Sequence, residues 1–185
     1  MVAMARHLEV SQWVPFSVEL VFAFFANPHN LPHLSPPQLK LRIEDVRLTP
    51  PPPRPVASDP SRRFQSIAAG VGSEILVSLV PIPWLPRLSW NTRIVEFEWF
   101  SHFTDEQVRG PFAAFRHRHG ISAETRNQVP GTLVTDSIDY DLPSGIPGAL
   151  AAARVWRKLE AAFAYRRQRL PEVLALAAGQ AARRE

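Results

Sequence analysis

Residues 99–121 read WFSHFTDEQVRGPFAAFRHRHGI. The stretch has the form of two strands folded back around Val108-Arg109-Gly110-Pro111. It holds three of the six histidines of the chain, together with Asp105 and four phenylalanines. Residues two apart on a strand point the same way. Phe115, His117, His119 and Ile121 therefore share one face, and Arg116 and Arg118 share the other. An arginine face belongs in water, so the Phe/His face is expected to look inward. Two imidazoles on an apolar strand face are the chemically richest feature of the sequence.

At 185 residues the chain has the length of one domain with a real core, and 45% of its residues are hydrophobic. No apolar run approaches a membrane span, and no charged segment followed by an apolar one opens the chain, so an integral membrane segment and a leader are not expected. The absence of cysteine excludes disulfides, thiolate catalysis and cysteine-based metal sites, and fits a cytoplasmic protein. The formal charge is +4, carried almost wholly by arginine, with Lys40 and Lys158 the lysines. Arg154, Arg157, Arg166, Arg167 and Arg169 fall on a helical segment as a solvated face, and no nucleic-acid partner is expected.

Around the hairpin the chain alternates well enough for a first strand over 7–14. Ser17 caps a short helix over 18–25, and the Asn27-Pro28 and Leu31-Pro32 breaks limit it to a helical turn and loop over 27–37. Strands follow over 39–48, 70–80 and 88–97, the last with Trp90, Thr92 and Ile94 on one face. Six prolines between 49 and 63 predict an extended, exposed excursion. The hairpin strands are expected over 99–108 and 112–124, a turn over 127–131, and a last strand over 132–142 with Thr132, Val134, Asp136, Ile138 and Tyr140 on one face. A helix is expected to start at 144–147. From there Ala152, Trp156, Leu159, Phe163, Tyr165 or Arg166, and Leu170 recur at three- and four-residue steps, an apolar stripe several turns long. Pro171 should kink or end that helix, and 179–185 should fray. The fold expected is α+β: a curved antiparallel sheet of about six to seven strands wrapped around a long C-terminal helix, with one or two short helices after the first strand. An apolar cavity between sheet and helix is expected, and one smaller than about 100 Å³ would exclude ligand binding.

The segments FTDEQVRGPFAAFRHRH (103–119), TLVTDSIDYDLP (132–143) and WRKLEAAFAYRRQRL (156–170) carry a family resemblance. The pattern falls on Phe103, Asp105, Gln107, Gly110, Pro111, Phe112, His117, His119, Thr132, Asp136, Tyr140, Leu142, Pro143, Phe163, Tyr165 and Arg166. It resembles the START/Bet v 1-like (SRPBCC) superfamily, and more closely its polyketide cyclase/dehydrase and coenzyme-Q-binding-like members, over residues 6–175. The resemblance implies the helix-grip fold and a cavity for a hydrophobic small molecule such as a lipid, quinone or polyketide-like ring system. It implies no one activity, because fold alone does not fix function.

If the last strand turns Val134, Ile138 and Tyr140 inward, residues whose numbers sum to about 255 lie opposite each other. His119 then faces Asp136 and His117 faces Ile138. A buried Asp136–His119 pair is either a self-satisfied polar pair that fixes register or a general base. The catalytic candidates are accordingly His119, Asp136 and His117, the last or Tyr140 orienting a carbonyl. The ligand-binding candidates are Trp90, Phe115, His117, His119, Tyr140, Trp156 and Phe163. His117-x-His119 can also present two nitrogens to an ion, with Asp136 or His102 as third ligand, although no metal or cofactor is the first expectation. The turn decides the neighbours: a four-residue loop puts His102 inward, and a three-residue loop puts Phe103 and Asp105 inward. Asp105 and Gln107 either cap the turn or line the cavity mouth, with the turn role favoured, and Arg166 either bridges to a strand carboxylate or meets an acidic ligand. The functional expectation is a carrier or sensor of a hydrophobic molecule, with a cyclase- or dehydratase-type enzyme as the alternative.

Overall fold

The longest hairpin of the chain turns on two residues. In a computed structural model describing residues 6–55, 67–84, 86–143 and 149–182, Asn127 and Gln128 have φ of 48° and 64°. Two consecutive left-handed residues give the tight turn whose twist matches that of its strands. Strand β6 (Ala114–Arg126) and strand β7 (Val129–Asp141) therefore run together over 13 residues each. The five-residue turn expected over 127–131 is corrected to these two residues. Gly131 lies inside β7 for another reason: a Cβ there would come within 2.5 Å of both Trp13 Cζ2 and the Val14 carbonyl oxygen.

The other elements are β1 (Arg6–Val14), α1 (Val18–Ala26), two 3₁₀ helices (Pro28–Leu34 and Pro37–Leu39), β2 (Arg42–Arg47), β3 (Glu74–Leu79), β4 (Leu88–Glu98), β5 (His102–Arg109) and α2 (Ala149–Ala182). The seven strands form one sheet in the order β1-β7-β6-β5-β4-β3-β2, with every neighbouring pair antiparallel. Strands β2 to β7 are thus a meander, and β1 returns beside β7. The sheet curves around α2, as the helix-grip expectation requires. The hairpin expected to start at Trp99 starts instead at His102. Residues 99–101 form the β4–β5 turn, where Phe100 has a φ of 62° and the Ser101 amide donates to the Glu98 carbonyl at 3.2 Å.

The short helix forms where its cap predicts. Ser17 Oγ accepts the Leu20 amide at 3.3 Å, and Leu20, Val21, Phe22, Ala23, Phe24 and Ala26 are buried. Phe22 sits edge-on to Phe97, Phe100 and Phe103 with centroids 5.4, 5.7 and 6.1 Å away. Burying such a ring stabilises the fold by roughly 1.5–3 kcal/mol. The segment expected to be a helical turn and a loop winds instead as 3₁₀ helix, with Asn27 Oδ1 accepting the His29 amide at 3.1 Å.

Helix α2 does not end at Pro171, one of the two outcomes expected there, nor fray from Gly179, but runs to Ala182. A proline frees the carbonyl four residues back, here that of Arg167, and Gln12 Nε2 donates to it at 2.9 Å. Burial of Leu170, Val173 and Leu174 in the core shared with α1 holds the helix beyond the proline. The helix start expected at 144–147 and the last residues of the tail, 183–185, lie outside the described residues. So do residues 56–63 of the proline-rich stretch. Its first part, though largely exposed, is tied down: the Gly70 amide donates to Thr49 O at 3.0 Å and Trp99 Nε1 to Pro52 O at 2.7 Å.

Candidate functional site

Strand alternation brings the polar residues of three strands to one inward patch. Across β6 and β7, His119 pairs with Asp136 and His117 with Ile138, the register expected from sequence. Across β5 and β6, Phe103 pairs with His119 and Asp105 with His117. This ladder is symmetric about Pro111, so it has the parity of the odd-membered loop: Phe103 and Asp105 face inward and His102 does not. His102 pairs with Gly120, and its Nδ1 lies 2.9 Å from Ser101 Oγ. Gln107 takes the turn role, its amide donating to Phe112 O at 2.8 Å and accepting the Phe112 amide at 3.2 Å. Asp105 takes the other role and lines the cavity. On the outer face Arg116 and Arg118 pair with Glu96 at 2.7 and 3.0 Å.

Asp136 is the centre of the patch. Its Oδ1 is 3.0 Å from His117 Nε2, 3.0 Å from His119 Nδ1 and 3.1 Å from Arg166 Nη2. Asp105 Oδ2 approaches the opposite ring nitrogens, at 3.4 Å from His119 Nε2 and 3.9 Å from His117 Nδ1. Each imidazole thus stands between two carboxylates. The His119 ring stacks on Phe103 with centroids 4.3 Å apart and planes 23° apart. His117 meets the edge of Phe163 at 5.6 Å, and the Arg166 guanidinium lies over Phe25 at 4.7 Å. His117, His119 and Asp136 are 7, 8 and 5% exposed, so charge here is stabilised by partners rather than by water.

Burial disfavours the charged form of every group in the cluster, and its partners decide the outcome. For Asp136 burial is outweighed by Arg166 and by hydrogen bonds from His117 and His119, which hold its carboxyl well below the usual range. Burial, and then the neighbouring His119, push the His117 imidazole down despite Asp136. For His119 burial is overcome by hydrogen bonds to Asp105 and Asp136, and its pKa is raised. Burial lowers that of Arg166 against the pull of Asp136 and Asp105.

In front of this patch is a cavity of about 250 Å³, between the inner face of the sheet, the α1–3₁₀ segment and α2. Its apolar walls are Phe25, Leu31 and Leu34 on one side, Ile75, Val77 and Leu79 on β3, and Leu159, Ala162 and Phe163 on α2. Trp90, Phe115, His117, His119 and Phe163, expected from sequence to bind ligand, all line it. Tyr140 and Trp156 do not. They pack in a second apolar cluster with Leu8, Phe115 and Ile138: no β7 side chain lines the cavity, and the turn of α2 that carries Trp156 precedes the first that does, at Leu159. Asp136 stands behind the two histidines and does not line it either. Of Phe100 and Phe103, the alternatives that the sequence offers for the cavity wall, it is Phe103 that lines it, whereas Phe25 and the β3 side chains were not expected there. Arg166 meets the strand carboxylate Asp136 and lines the cavity as well, three residues after Phe163 on the helix stripe.

No family model and no curated protein sequence matches the chain. Solved structures are similar to it in backbone. TTHA0849 from Thermus thermophilus is 16% identical with a TM-score of 0.56, over 93% of this chain and 99% of that one. The ginseng major latex-like protein 151 from Panax ginseng is 15% identical with a TM-score of 0.53, over 91 and 100% of the two chains. Ara h 8.0201 is 11% identical with a TM-score of 0.53, over 89 and 97%. At these identities the likeness is one of fold. With a seven-stranded antiparallel sheet wrapped around a long C-terminal helix, this chain has the START/Bet v 1-like helix-grip fold.

Proposed function

We propose that this protein, as one ligand-binding domain, is a carrier or sensor of a hydrophobic small molecule with a polar, oxygen-bearing end. A lipid, a quinone or a polyketide-like ring system has that chemistry. The observation that carries the reading is the cavity of about 250 Å³, lined mostly by apolar side chains, with Asp105, His117, His119 and Arg166 converging at one wall and the uncharged Asn27, Asn30, Ser35 and Thr92 elsewhere. A binding site of this kind takes its affinity from apolar burial and its orientation from a few placed polar groups. The volume is a little below the ~300–1,000 Å³ of ordinary ligand pockets, which favours a compact ligand. The lack of cysteine supports a cytoplasmic location. Organic extraction and native mass spectrometry of the purified protein test the reading. An apolar molecule copurifying at a fixed ratio is the expected result, and protein that stays ligand-free after exposure to a cell lipid extract contradicts it.

A second reading, a cyclase- or dehydratase-type enzyme, is favoured by the His119–Asp136 contact of 3.0 Å at the cavity wall. Under it His119→Ala abolishes turnover while ligand affinity stays within a few-fold. Equal loss of both assigns the pair to structure.

A further inference from the structure

Asp105, His117 and His119, all on the cavity wall, each offer one donor atom, and the three atoms lie within 4.8 Å of one another. We propose that these three side chains are a binding site for a divalent transition-metal ion, with two imidazoles and one carboxylate as ligands and the remaining coordination positions open to the cavity. Donor atoms about 2.0–2.2 Å from an ion stand about 3–3.5 Å from each other. Asp105 Oδ2 and His119 Nε2 are already 3.4 Å apart, and His117 Nδ1 is 3.9 Å from the same oxygen.

The other ring nitrogens are held as a metal site requires. His117 Nε2 and His119 Nδ1 both lie 3.0 Å from Asp136 Oδ1. With each neutral imidazole donating its rear N–H to that carboxylate, the lone pairs of His117 Nδ1 and His119 Nε2 point toward Asp105. A carboxylate behind a ligating histidine fixes its tautomer and ring orientation. Here one carboxylate serves two histidines, and Arg166 Nη2 anchors it at 3.1 Å. That nitrogen also donates to His119 Nδ1 at 3.2 Å, so binding of the ion requires this N–H to turn to Asp136 and the His119 proton to sit on Nδ1.

Charge points the same way. As ligands both imidazoles are neutral, and the cluster then sets the carboxylates of Asp105 and Asp136 against the one guanidinium of Arg166. An ion at the front compensates the second carboxylate without displacing Arg166. The scaffold is rigid: the donors come from the adjacent strands β5 and β6, the rear carboxylate comes from β7, and Phe103 stacks on the His119 ring. Two imidazoles and one carboxylate with open positions suit zinc, iron(II), cobalt(II) or manganese(II). Such an ion can polarise a carbonyl oxygen of a molecule lying in the cavity. Only that last role rests on the proposed function, and the binding of the ion does not. In the loaded protein both imidazoles are ligands, which leaves neither as the base of a cyclase.

The test uses the full chain without a polyhistidine tag, treated with chelator and titrated with Co²⁺ by visible absorption and with Zn²⁺ by calorimetry. One ion per chain, micromolar or tighter, is expected. Asp105→Asn, which keeps the shape of the side chain, weakens binding at least tenfold, and Asp136→Asn weakens it about 10- to 100-fold at unchanged stoichiometry. The double variant His29→Ala/His33→Ala binds as the wild type does. Should a site variant fail to fold, NMR of the wild type decides: Zn²⁺ must shift the ring resonances of His117 and His119 and leave those of His29 and His33. Absence of saturable binding, or full affinity in Asp105→Asn, overturns the site. The metal is titrated alone, so failure of the protein to take up apolar molecules leaves a positive result standing.

Discussion

Asp105 of β5 and His117 of β6 are direct cross-strand partners, and this one pairing sets which face of the hairpin meets the cavity. A slip of one residue would carry Asp105 and Phe103 to the solvent side and bring His102 inward. The carboxylate in front of the two histidines, the ring stacked on His119 and the seclusion of His102 all follow from the same register.

Arg166 is expected to be a keystone of the site. Arg166→Met leaves Asp136 buried with only the two imidazoles as partners, a loss of about 3–5 kcal/mol. Arg166→Met combined with Asp136→Asn should recover a large part of it, because the unpaired charge is gone. Urea denaturation of the two single variants and the double variant measures the coupling. Additive losses would show that the pair does not act as a unit.

The outer face of the sheet carries its own pH signature. Thr104 Oγ1 donates to Glu96 Oε2 at 2.6 Å, and this bond, aided by Arg116 and Arg118, lowers the Glu96 pKa. A carboxylate depressed by folding stabilises fully above its unfolded value, near ~4.3, and its contribution is lost as the pH falls through the folded value. Glu96→Gln should therefore cost about 1 kcal/mol or less at neutral pH, and nothing once the wild-type carboxyl is protonated. Denaturation midpoints of the two proteins between pH 7 and pH 3 should converge on acidification.

Gly131 is expected to tolerate no side chain. A Cβ there would meet Trp13 and the Val14 carbonyl at 2.5 Å, and Trp13 is itself fixed by its indole N–H on Glu124 O at 2.9 Å. Gly131→Ala should destabilise the protein by about 1–3 kcal/mol, the range of an overpacked core, as read from its chemical denaturation midpoint. An unchanged midpoint would mean that β1 and β7 separate at this point at little cost.

The fold was legible because its signals were periodic. Alternation within 112–124 and 132–142, the Ser17 cap and the three-and-four spacing from Trp156 to Leu170 each state a local structure without help from the rest of the chain. The His119–Asp136 pairing was legible for the same reason, since two strands of known facing joined by a short turn have few registers. What stayed hidden depends on geometry that no local pattern encodes. The parity of the Gly110-Pro111 turn decides between His102 and Asp105, and nothing in the residues 108–113 fixes it. Pro171 reads as a helix end until Gln12, more than a hundred residues away in sequence, is found on the carbonyl that the proline frees. Tyr140 and Trp156 are aromatic residues on the correct faces; Tyr140 falls outside the cavity because no β7 side chain reaches it, and Trp156 because the cavity ends before its turn of α2.

The central claim is that the cavity takes up an apolar molecule, and filling it tests this most directly. Ala162 lines it from α2, and Ala162→Phe places a ring where the ligand would lie. Fluorescence titration with the neutral probe N-phenyl-1-naphthylamine should give saturable binding to the wild type. It should be at least tenfold weaker in Ala162→Phe, with the same circular dichroism. Equal affinity in the two proteins, or no saturable binding to the wild type, would contradict the account.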